Sequence, residues 1–80
     1  MDYKELIERN PSVLGGKPII KGTRISVELI IRKLGDGYSI SEILDNYPHL
    51  TTDQVKAALQ YAADVIAFEE TITDTIPRSV

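Results

Sequence analysis

Few residues in this chain of 80 have types suited to covalent or metal chemistry. Cys is absent and His49 is the lone histidine, which excludes a thiol nucleophile, a thiolate metal site and a His cluster. No Ser stands in a local pattern with a His and an acid. The carboxylates Asp45, Asp53, Asp64 and Glu69 are scattered over helix starts and outward faces, without the convergence that acid–base work requires. The expectation is a protein without catalysis, metal or cofactor. Gly16-Lys17 resembles the end of a phosphate-binding loop, but Pro11 stands where that loop has its first Gly, and Pro18 stands where it has Ser or Thr. What remains is recognition. His49, Thr51, Thr52, Gln54 and Lys56 cluster at one helix start, where Gln suits adenine edges, Thr a base or phosphate, and Lys guanine or phosphate. Asp53 opposes that use, since phosphate repels it. His49 itself serves equally well for capping or packing.

The net charge of −3 conceals an asymmetry. Between Arg9 and Lys33 six cations face Glu28 alone, a net of +5, whereas residues 34–80 carry two cations against eight acids, a net of −6. Any attraction to phosphate therefore comes from upstream of the recognition cluster, from Lys17, Lys21 and Arg24. These eight residues form the expected DNA-contacting set.

Two capping boxes position them. Ser39 to Glu42 reads S-x-x-E and Thr51 to Gln54 reads T-x-x-Q. In each the hydroxyl accepts the backbone N–H three residues on, while the Glu or Gln reaches back to the cap amide. Tyr38 and Leu50 precede the caps as staples for Ile43 and Val55. Asn46, Tyr47 and Pro48 end the first of these helices. A short helix, a tight corner and a second helix give the geometry of a helix-turn-helix, which other proteins use for packing alone.

The rest of the chain extends this unit. Asp2 to Arg9 reads either as one helical turn or, from Leu6, as an edge strand, with the balance towards the strand. Val13 to Ser26 reads as a small hairpin, Pro18–Ile20 turning at Lys21-Gly22 into Thr23–Ile25. Ser26 caps a helix from Val27 to about Leu34, whose Val27, Ile30, Ile31 and Leu34 share one face. Gly35 and Gly37 offer left-handed C-terminal caps. The next helix runs from Ile40 to about Tyr47. The last starts at Thr52 and weakens beyond Glu70. Its Val55, Ala58, Leu59, Ala62 and Ile66 form a stripe suited to the core, and Tyr61, Val65 and Phe68, with Ala57, form a second. That second stripe is either a dimer seam or a cover for the N-terminal hairpin. Residues 1–70 are thus expected as one domain and residues 71–80 as a tail.

A core this small gains little net stability once chain entropy is subtracted, and without Cys the available remedy is oligomerisation, so a homodimer is expected. No apolar run reaches the length of a membrane span, and the first ten residues do not read as a signal peptide. A cytoplasmic location without membrane contact follows as an expectation.

The combination GGKPIIKGTRISVELI (Gly15 to Ile30), Gly37 to Ile40, EILDNYPHLT (Glu42 to Thr51) and VKAALQYAA (Val55 to Ala63) resembles the bacterial domain-of-unknown-function family 433, described as antitoxin-like. Many members carry Pro where this chain has Ser26, a mild change because both suit a helix start. The resemblance implies a mainly α, homeodomain-like three-helix bundle with a short N-terminal β-hairpin. It also implies an antitoxin that masks a PIN-like ribonuclease toxin and represses its own operon by binding DNA. The alternative is a protein–protein interaction module with no nucleic-acid binding.

Overall fold

The computed structural model describes residues 2–73. Tyr3–Leu6 forms a 3-10 turn, capped by the Asp2 carboxylate, which accepts the Lys4 N–H at 3.0 Å. The chain then extends as β1 (Ile7–Arg9), and after a second 3-10 turn at Leu14–Gly16 returns as β2 (Pro18–Ile20). Three helices follow: α1 (Val27–Gly35), α2 (Ile40–Asn46) and α3 (Thr52–Thr73). The protein is mainly helical, with three helices and one short antiparallel hairpin, as the sequence predicts.

The hairpin differs from expectation in its partner. The ladder of β2 is with β1, Ile7 opposite Ile20 and Arg9 opposite Pro18, while the expected pairing with Thr23–Ile25 is kept only in part, the Ile20 N–H donating to the Ile25 carbonyl at 2.9 Å and the Thr23 N–H to the Ile20 carbonyl at 3.0 Å. Pro18 lacks an N–H and so sits at a strand start, where the ladder needs no donor from it. Thr23–Ile25 is held in a turn instead. The Thr23 hydroxyl donates to the Ile20 carbonyl at 2.8 Å and accepts the Ile25 N–H at 3.0 Å, the local side-chain bonding by which Thr competes with a sheet ladder. Ile19 still bridges Ser26. The two readings of the N-terminus are both realised in succession, a turn and then a strand.

Both capping boxes form. Ser39 and Glu42 exchange bonds at 3.1 and 3.0 Å, and Thr51 and Gln54 at 3.2 and 2.8 Å. Between α1 and α2, Gly37 adopts φ +100°, its N–H reaching the Leu34 carbonyl and the Tyr38 N–H the Lys33 carbonyl. This is the Schellman arrangement, and it needs a residue without a Cβ at Gly37; Gly35 lies inside the helix. Tyr38 stays partly exposed beneath the Lys33 ammonium, 4.6 Å from the ring centre.

The core joins Ile20 of β2, Val27 and Ile30 of α1, Ile43 of α2, and Leu50, Val55 and Ala58 around the start of α3. The expected division of α3 into core and second stripe is corrected. Leu59 and Ile66, assigned to the core, are 38% and 55% exposed, while Ala57, assigned to the second stripe, is fully buried. The cause is the N-terminal segment, which packs on α3. Ala57, Tyr61 and Asp64 stand at i, i+4 and i+7, on one face of the helix. Tyr61 accepts a bond from Arg9 at 2.9 Å, and Asp64 accepts the Tyr3 hydroxyl. So part of the second stripe does cover the hairpin. α3 also outruns expectation, since Thr71–Thr73 are helical rather than tail; the remainder of the expected tail lies outside the described residues. At 22 residues it is about 33 Å long. Among the described residues no helix is long and apolar enough to cross a membrane.

Candidate protein-binding site

The protein's surface chemistry is organised by Glu28, in the first turn of α1. Ser26 starts that helix by accepting the Leu29 N–H at 2.9 Å, and the turn so fixed points Glu28 between two cations. One carboxylate oxygen takes Lys17 at 3.0 Å and the other takes the Arg32 Nε at 2.9 Å. Hydrogen bonds from Lys17 and then Arg32 hold the Glu28 carboxyl below the usual carboxylate range. All three side chains are well exposed, so the triad contributes little to stability and mainly fixes where charge is displayed.

Two clefts open on either side of this triad and share it. The first, about 550 Å³, lies between α1 and the middle of α3. Besides Lys17, Glu28 and Arg32 its lining is apolar: Pro18, Val27, Ile31, Tyr61, Ala62, Val65 and Ile66. The second, about 530 Å³, is bounded by Leu14, Arg24, Ser26 and Leu29 with the same triad. At the edge of the first cleft Val65 and Ile66 stay exposed, and beyond it α3 continues to Phe68 at 66% exposure.

The sequence-derived residues fall into separate groups. Lys17 lines the cleft with Tyr61–Ile66, whereas Thr52 starts α3 nine to fourteen residues earlier, about 14–21 Å along the helix axis at 1.5 Å each. Arg24 lines the second cleft, and Lys21 sits at the end of β2, its backbone N–H bonded to the Leu6 carbonyl. His49, Thr51, Thr52 and Lys56 are exposed at the α2–α3 corner. Thr51 and Gln54 have their side chains bonded to each other's backbone in the capping box. Of the expected dimer residues, Val65 and Phe68 are exposed while Tyr61 is half-buried against the hairpin.

Arg32, Ile31, Leu14 and Ile66 belong to these surfaces, and reading the sequence missed them as site residues. Arg32 entered only as one of the six cations between Arg9 and Lys33. Ile31 and Ile66 looked like core because helical periodicity does not show where the packing partner stops. Leu14 carried one signal, the Gly-Gly that follows it.

Fold and site together define a small three-helix domain with a short β-hairpin and an apolar, cation-edged cleft. The family model described as "Protein of unknown function (DUF433)" matches residues 7–62, and the chain belongs to that family. It is 30% identical over 59 residues to "Uncharacterized protein y4eO" of Sinorhizobium fredii, a match that covers 74% of this chain and 27% of that protein. The chain thus spans about a quarter of the length of this curated relative. A crystal structure of a DUF433 member from Anabaena variabilis superposes with a TM-score of 0.72 at 36% identity, covering 74% of this chain and 58% of that one.

Proposed function

We propose that this protein is a non-catalytic protein-binding module that works as a homodimer, with the α1–α3 cleft of each copy filled by α3 of the other. The observation that carries the reading is that cleft, an apolar surface continuous with the outward Val65, Ile66 and Phe68. Exposed apolar surface of this kind on a small domain marks an interface. Self-complementarity favours a second copy as occupant: Val65 and Ile66 both line the cleft and face outward beside Phe68, so the surface to be filled and the surface that would fill it are the same stretch of α3. A two-fold axis near Val65–Ile66 makes the two α3 helices antiparallel, each patch meeting its own copy.

The dimer's cellular partner, on this reading, is another protein. The antitoxin role implied by the family resemblance, masking a small PIN-like ribonuclease, is one form of it. The test is to co-express the chain with the product of the adjacent reading frame and assay that product's ribonuclease activity with and without the chain. Stable co-purification with suppressed activity supports the antitoxin form, and a neighbour that neither binds nor cleaves RNA removes it.

DNA contact as an autorepressor is a second reading, favoured by the exposed Thr52, His49 and Lys56 at the α2–α3 corner. The capping duty of Thr51 and Gln54 weighs against it. So does the pairing of Lys17 with Glu28, since a paired cation offers less to phosphate. A shift assay on the chain's own promoter at two salt concentrations decides the matter. No complex at low salt, with or without the protein partner, sinks the DNA reading.

A further inference from the structure

The second cleft has an unusual wall. Leu14 holds φ +50°, and among the described residues it is the one non-glycine in the left-handed region. Gly15 and Gly16 follow at +66° and +84°. Left-handed backbone is disfavoured for a residue with a Cβ, and a Gly at position 14 would relieve it. Instead a Leu stands there, 45% exposed, fixed by the bond from the Lys17 N–H to its carbonyl at 3.4 Å. Strain maintained to display an apolar side chain to water is a mark of a binding surface rather than of packing.

Around it the charge is one-sided. Arg24, Lys17 and Arg32 line the cleft against Glu28 alone, and Leu29 supplies a second apolar surface. We propose that the cleft at Leu14 and Arg24 is a docking site for an acidic, leucine-rich peptide segment of a partner protein. Carboxylates of the segment meet Arg24, which has no ion-pair partner among the described residues, and its aliphatic side chains lie on Leu14 and Leu29. Phosphate of a nucleic acid would use the cations but draws nothing from the two Leu side chains, and that difference favours a peptide. The inference rests on reading the chain as a protein binder but not on the dimer, because Leu14 and Arg24 lie outside the α1–α3 cleft.

The test uses the full chain and a fluorescein-labelled peptide of repeating Leu-Glu-Glu, read by anisotropy. Two further probes are run alongside, the same peptide with Lys for Glu and a short DNA duplex. The expected result is saturable binding of the acidic peptide, weakened about tenfold by Arg24→Glu, as befits loss of a charge-assisted contact. Leu14→Gly supplies the second variant. It removes the apolar contact while suiting the backbone, so affinity falls although the melting temperature does not. Asp45→Asn, exposed on α2 and lining neither cleft, leaves peptide affinity unchanged. Equal binding of the Lys peptide, binding of the duplex alone, or no binding at all overturns the proposal. An unaltered affinity in Leu14→Gly does so too, since the strained residue would then have only a structural role. Continued capture of the neighbouring gene product by chain that ignores the acidic peptide would overturn this site and leave the protein-binding reading standing.

Discussion

Replacing Thr51 by Ala removes the hydroxyl that accepts the Gln54 N–H at 3.2 Å and leaves the Gln54 carboxamide still accepting the Thr51 N–H at 2.8 Å. One orphan donor at the start of α3 is lost, a change of about 1 kcal/mol. A chain of this length has about 4–12 kcal/mol of stability in total, so the melting temperature should fall by about 4–8 °C. Ser39→Ala at the other box costs a similar amount, because its hydroxyl accepts the Glu42 N–H at 3.1 Å. The boxes start different helices and share no hydrogen-bond partner, so the double variant should lose about 2 kcal/mol. Urea denaturation of the four proteins, followed by circular dichroism at 222 nm, measures this. Thr51→Ser should restore most of the loss. A double variant no less stable than wild type would refute the reasoning, since it would mean that neither side chain satisfies a donor that water does not satisfy equally well. A consequence for function follows: a DNA-binding defect in Gln54→Ala would report folding as much as base contact, and Lys56 or Thr52 is the cleaner probe.

Gly37→Ala should cost at least about 1 kcal/mol by equilibrium denaturation, because φ +100° is strained for any residue with a Cβ. Glu28 and Glu42 have carboxyls held below their ordinary range, Glu28 by Lys17 and Arg32 and Glu42 by the Ser39 N–H and hydroxyl. Their stabilisation is therefore present above the unfolded carboxylate value of about 4.3 and lost as pH falls through the lowered folded values. In Glu42→Gln the acid-induced loss, followed as melting temperature against pH, should be smaller than in wild type. Tyr3 has its hydroxyl pushed up to about 12, chiefly by donating to Asp64. A raised value stabilises below the unfolded value of about 10 and is lost as pH rises through the folded one, so Tyr3→Phe should flatten the alkaline limb of the same profile. Ile66→Glu, at a position 55% exposed in the single chain, should turn the dimer monomeric in sedimentation equilibrium and remove the dependence of melting temperature on protein concentration that the dimer gives.

Helix starts were legible because their signals are local. Ser26, Ser39 and Thr51 each cap the helix that the sequence assigns to them, since a cap bond spans three residues and needs no tertiary partner. The faces of α1 and α2 followed from periodicity. Strand pairing was not legible to the same degree. Lys21-Gly22 marks a turn correctly, and Ile20 does bond Ile25 across it, but the ladder that places Ile7 opposite Ile20 comes from a chain segment eleven residues upstream of Pro18, beyond the reach of turn chemistry. The α3 stripes failed for a related reason. Ala57 and Leu59 are both apolar, and only the docking of the N-terminal turn on one side decides which is buried. At the site, charge counting located the basic segment but not its pairing, because the meeting of Lys17 with Glu28 requires the hairpin to pack across the start of α1.

Cysteine cross-linking across the two-fold axis tests the account most directly, and the absence of native Cys makes it clean. Ile66→Cys places a thiol near the proposed axis, where Cα atoms about 4–7 Å apart permit a disulfide. Thr52→Cys places one at the far end of the helix. Under mild oxidation at micromolar concentration, Ile66→Cys should run as a covalent dimer on a non-reducing gel, and Thr52→Cys as a monomer. Cross-linking by Thr52→Cys but not by Ile66→Cys would contradict the proposed α3 seam, and a monomeric Ile66→Cys whose wild-type parent also sediments as a monomer would contradict the dimer itself.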